Sequence, residues 1–143
     1  MGYHTEVYEG IAKLLRAALP SSTPVLDALT TEETQLERYA SSVVILRESI
    51  DYEPHPEINP STSVKDQGEE WTWSLYVTGG GGGARPAERG QYVDDMLEAI
   101  RTALNARRPT TDCGPMHMIE ESFETKIGAG VMYVQRWRHR RLA

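Results

Sequence analysis

The chain has 143 residues, a formal net charge of −6 and an isoelectric point near 5.2. That length suits one domain burying roughly 68–70% of its unfolded surface and excludes two, while the 39% apolar share excludes a disordered chain. The acidic balance argues against general nucleic-acid binding, and a single cysteine excludes an internal disulfide or a cysteine zinc cage. The longest run of large apolar residues, Val43 to Leu46, is too short to span a membrane, and Glu6 and Glu9 make the N-terminus unlike a signal peptide.

Between Tyr3 and Leu19, Val7, Ile11, Leu14, Leu15 and Ala18 recur at helical spacing, and Pro20 stops the pattern. This predicts a first helix. Residues 21 to 40, from SSTP to the acidic TTEETQLERY, read as a connection with short helical turns. SSVVILRESIDY then concentrates β-branched residues at 43 to 46 and alternates to Tyr52, which predicts strand A. Residues 53 to 70 hold three prolines and little to bury, so they form a polar loop or extended arm. In WTWSLYVT, Trp71, Trp73, Leu75 and Val77 share one face, which predicts strand B, paired with A as a long-tipped hairpin.

Five glycines at 79 to 83 followed by ARPAERGQ predict a flexible linker over 79 to 88. From Ala87 to Ala106 a second amphipathic helix carries Tyr92, Val93, Met96, Leu97, Ile100 and Leu104 on one face, closed by Arg107, Arg108 and Pro109. The last third predicts a hairpin about the loop 128 to 130. This register sets Ile127 opposite Val131, Thr125 opposite Tyr133, Glu121 opposite Trp137, Glu120 opposite Arg138 and Ser122 opposite Arg136. The expected fold is an α+β two-layer sandwich of order α-β-β-α-β-β, an antiparallel sheet of about four strands with both helices on one face. Trp73, Leu75, Ile100, Leu104, Phe123 and Val131 are the expected core.

No motif predicts catalysis. After Gly90 come Gln91 and Tyr92 where a phosphate loop needs Lys and Ser or Thr, and an antiparallel sheet does not suit a dinucleotide fingerprint. Cys113, Met116, His117 and Met118 offer soft ligands, but strand and turn roles account for them, and the prolines around Glu53, His55 and Glu57 account for that alternation. The paired acids are sequence neighbours, which in a strand point to opposite faces and make no carboxylate dyad. No catalytic, cofactor or metal residue is assigned.

Charge is the remaining signal. Residues 27 to 70 carry eleven acids against three bases, and residues 101 to 143 carry eight bases against four acids. Opposite charge in two regions of one chain suits head-to-tail self-association, the arrangement that closes into rings. The expected interface residues are Glu53, His55 and Glu57 in the arm and Arg136, Arg138, Arg140 and Arg141 in the terminal strand. Arginine and tryptophan in RWRHRR also suit nucleic acid, but Glu120 and Glu124 across the hairpin favour an acidic protein partner.

Over nearly its whole length the chain resembles the tail terminator and tail completion proteins of long-tailed bacteriophages. The resemblance is carried by YEGIAKLLRAAL, the hairpin SSVVILRESIDY and WTWSLYVT around a polar loop, YVDDMLEAIRTALN, and the closing hairpin ending in VMYVQRWRHRR. It implies a structural subunit, made in the host cytoplasm, of a homo-oligomeric ring, a hexamer in that family, at the head-proximal end of the tail. Such a ring stops polymerisation of the tail tube and provides the surface for head docking. The implied partners are the chain itself, the tail tube protein and a head-completion or connector protein, with no membrane, cofactor or specific nucleic acid. The alternatives are a neck or head-completion role in the same particle and, from another class, a small RNA-recognition-type domain, although that fold expects the order β-α-β-β-α-β.

Overall fold

A computed structural model describes residues 2–31, 39–52, 68–79, 86–127 and 130–141. Their order is α1 (Tyr3–Ala18), β1 (Val25–Asp27), β2 (Ser42–Tyr52), β3 (Glu69–Gly79), α2 (Pro86–Leu104), β4 (His117–Ile127) and β5 (Gly130–Arg141). The five strands form one sheet in the order β1-β2-β3-β5-β4, and both helices pack on one face of it.

The fold is α+β, as the sequence predicts, but the sheet is mixed and has five strands. Residues 21 to 40 are more than a connection, because Val25–Asp27 adds to β2 in parallel, with Val43 N–H donating to Pro24 O and Ala28 N–H to Ile45 O. Three residues are too few to show alternation, so a strand this short leaves no periodic trace. It ends where the Asp27 carboxylate accepts the Leu29 N–H at 2.9 Å, an Asx turn. The segments expected as loop and linker are also shorter at their described ends. Glu69 and Glu70 belong to β3, Gly79 ends that strand, and Pro86 opens α2. The remainder of both segments lies outside the described residues.

The apolar stripe of α1 (Val7, Ile11, Ala12, Leu15) and that of α2 (Val93, Met96, Leu97, Ile100, Leu104) close over Trp71, Trp73, Leu75 and Val77 of β3 and Trp137 of β5. α1 approaches the loop after α2 closely enough that a Cβ on Gly10 would run into the Pro109 carbonyl oxygen. At its C-terminus α2 stops at Leu104, two residues before Ala106 takes φ 61° and sends its N–H to Met116 O. Met116 N–H returns to Arg107 O at 2.8 Å, which pins the end of α2 to the start of β4.

Trp73, Leu75, Ile100 and Leu104 are core, as expected, but Phe123 is 53% exposed and Val131 only half-buried. The terminal hairpin explains this correction. Ile127 pairs with Gly130 rather than Val131, so β5 begins inside the expected loop, and register shifts follow between Met118 and Glu120 and between Phe123 and Thr125. Thr125 therefore faces Met132, Ser122 faces Val134, Glu121 faces Gln135 and Glu120 faces Arg136. Bulges add a residue that strict alternation does not anticipate, and they gather at sheet edges such as β4.

Candidate interaction surface

The basic strand β5 lies inside the sheet, between β3 and β4, and its arginines meet acids of neighbouring strands within the same subunit. A bulge between Arg47 and Ser49 leaves Glu48 without a cross-strand partner, and its carboxylate takes the Ser74 hydroxyl at 2.8 Å. The Arg136 Nε donates to the same carboxylate at 3.0 Å, and a terminal nitrogen donates to Glu120 Oε2 at 2.6 Å. Burial alone would lower the Arg136 guanidinium, but the hydrogen bonds and charges of Glu120 and Glu48 outweigh it and hold the group above its ordinary value. Arg138 donates to Thr72 Oγ1 and stands 3.9 Å from Glu70, while Arg141 stands 3.7 Å from Glu69 and 4.0 Å over the Tyr3 ring. Arg140 is exposed and paired in register with Glu70.

Three of the sequence-predicted interface residues, Glu53, His55 and Glu57, lie outside the described residues. The four arginines are brought together on one strand, with Arg136, Arg138 and Arg141 already in ion pairs with their own subunit. The attraction between acidic and basic stretches seen in the sequence is thus partly spent inside the fold, where cross-strand neighbours sit 4.5–5.5 Å apart at Cβ.

What sequence reasoning missed is the apolar character of the two sheet edges. At one edge, Leu29 follows β1 and is 74% exposed; at the other, Ile119 and Phe123 on β4 are 43% and 53% exposed. The Tyr133 ring stands edge-on to Phe123 at 5.7 Å between centroids. Of these three, the sequence reading assigned only Phe123 to the core, and Leu29 fell in the stretch read as a connection.

The chemistry-bearing cluster nearest the helices is closed. Cys113 is wholly buried, with its sulfur 3.2 Å from the Tyr3 hydroxyl and 3.1 Å from Thr110 Oγ1. Burial pushes the Tyr3 hydroxyl up and Cys113 adds to that, so Tyr3 keeps its proton. A thiol with no exposed surface has no approach for a substrate. Among the described residues no three His, Cys, Asp or Glu side chains are grouped to hold a metal ion, and no helix is long and apolar enough to cross a membrane. Trp71, Trp73 and Trp137 are buried, so none presents a ring face for base stacking.

No family model matches the sequence, and no curated protein matches it.

Proposed function

We propose that this chain is a structural assembly subunit that closes head to tail into a ring, in the manner of the phage tail terminator proteins it resembles. In that role the ring caps the tail tube, stops its growth and presents a docking surface to the head. A neck or head-completion position in the same particle would use the same contacts. The observation that carries the reading is the exposure of large apolar side chains at both edges of the sheet, Leu29 beside β1 and Ile119 and Phe123 on β4. A ring needs two different surfaces on each subunit, one to give and one to receive, and apolar side chains left in water at strand edges are what a subunit contact covers.

Light scattering across protein concentration tests this reading with Leu29→Glu and Phe123→Glu. Each variant alone should weaken the assembly, and mixing the two should form dimers through the one pair of intact edges that remains, without a closed ring. A wild-type chain that stays monomeric at every concentration overturns the reading. A loss seen only with Phe123→Glu points instead to a two-fold dimer through β4.

A further inference from the structure

Cys113 is wholly buried although it stands at the rim of the fold, with Thr111 and Pro115 exposed on either side of it and Thr110 and Asp112 half-buried. The first turn of α1 lies against its sulfur. The Tyr3 hydroxyl is 3.2 Å from Sγ, the Tyr3 ring stands edge-on to Trp71 at 4.7 Å, and the Arg141 guanidinium sits 4.0 Å over that ring. One residue on, the His4 ring stacks on Trp73 at 5.3 Å. This turn is held more lightly than the helix it opens. Gly2 at the N-cap position offers no side chain to the free N–H groups, and the turn is closed by Glu6 N–H donating to Gly2 O at 3.1 Å. Tyr3 and His4 are half-buried and Thr5 and Glu6 exposed, whereas Val7, Ile11 and Leu15 are wholly buried. Segments with few buried apolar contacts open at the lowest free energy, and a helix can lose its end turn without disturbing the hydrogen bonds further on.

We propose that residues 2–6 form a latch that opens and closes by itself while the rest of the fold stays intact, sealing Cys113 and the Trp71 ring when closed and giving access to the thiol when open. The hinge falls between Glu6 and Val7, where exposed residues give way to wholly buried ones. The latch fastens α1 to the basic end of β5. Cys113 bridges to Arg141 through the backbone and Gly114 N–H donates to Arg140 O at 2.7 Å, so the thiol stays with β5 when the turn lifts. Arg141 then keeps Glu69, 3.7 Å away, but loses the Tyr3 ring beneath its guanidinium. An open latch thus changes the surroundings of one of the four arginines of the terminal strand. The inference holds whether or not the subunits close into a ring.

Cys113 is the single cysteine of the chain, so the aromatic disulfide dithiobis(nitrobenzoate) reads the latch directly. The Cys113 thiolate, its proton given up to solvent, attacks one sulfur of the reagent; a new S–S bond forms, the reagent's own breaks, and the coloured nitrobenzoate thiolate leaves. Folded wild type should label far more slowly than the chain unfolded in urea. Below the unfolding transition its rate should rise only weakly with urea, because opening one turn uncovers little surface. Tyr3→Ala should speed labelling by about tenfold or more with the same weak urea dependence, and Tyr3→Phe, which keeps the ring and loses the hydroxyl, should speed it less. Leu15→Ala, a core change beyond the hinge, should lower the urea midpoint and leave the labelling rate in buffer at the wild-type value. A wild-type rate that climbs with urea as steeply as global unfolding, or that Leu15→Ala raises in step with the lost stability, overturns the proposal. Labelling of folded wild type at the unfolded rate, or a Tyr3→Ala rate equal to wild type, overturns it as well.

Discussion

Trp73 Nε1 donates to His139 Nε2 at 2.9 Å, between a core strand and the terminal strand, both side chains being almost wholly buried. Because Nε2 accepts, the imidazole proton sits on Nδ1, which lies 3.2 Å from Arg140 O and donates to it. Trp71 stacks at 6.1 Å from both Trp73 and His139, and α1 adds the Tyr3 ring against Trp71 and the His4 ring against Trp73. The end of β5 is thereby anchored under the first helix.

His139→Phe should cost about 1–3 kcal/mol, since it leaves the Trp73 indole N–H buried without an acceptor. Adding Trp73→Phe should recover part of that loss, because removing both partners removes the unsatisfied group. Urea unfolding of the two single variants and the double variant measures this coupling; strict additivity would mean the bond contributes nothing.

Gly10→Ala should destabilise by about 1–3 kcal/mol, the usual cost of overpacking a closed site, because the neighbour to be displaced is the Pro109 backbone rather than a flexible side chain. Thermal melting reads this directly, and no change would mean that α1 and the 109 turn separate without cost.

Ala106→Gly should stabilise by about 1 kcal/mol. The left-handed conformation at φ 61° strains an alanine, and glycine relieves that strain at some entropic expense in the unfolded chain. Ala106→Val should act in the opposite direction, and denaturant midpoints for the pair check the sign.

Acid should loosen the N-terminal helix. Burial, followed by the charge of Arg47, holds His4 below its ordinary value of 6.5, with Asp27 opposing. The unfolded chain therefore takes up this proton first. The stability contributed by neutral His4 is complete above about 6.5 and is lost as pH falls through the lower folded value. His4→Gln should flatten that part of the profile when melting is followed from pH 7.5 to 5.

The helices and the two central strands were legible because each is long enough to repeat its period. Val7, Ile11 and Leu15 mark α1, Met96, Ile100 and Leu104 mark α2, and Trp71 to Val77 mark β3, so the α+β class and the helix-covered face follow from the sequence by itself. The tertiary structure decided what periodicity cannot carry. Val25–Asp27 is a strand only because β2 offers it backbone partners, and the bulges at Glu48 and along β4 add single residues that shift every later side chain. Interior position likewise decided the charges. Arg136 reads as a free cation in RWRHRR, yet the sheet places it between Glu48 and Glu120. Phe123 reads as core, yet β4 is an edge over which the helices do not close. Local sequence specifies each element's own hydrogen bonds and faces, whereas partners, register and edges are set by long-range pairing, which no window along the chain contains.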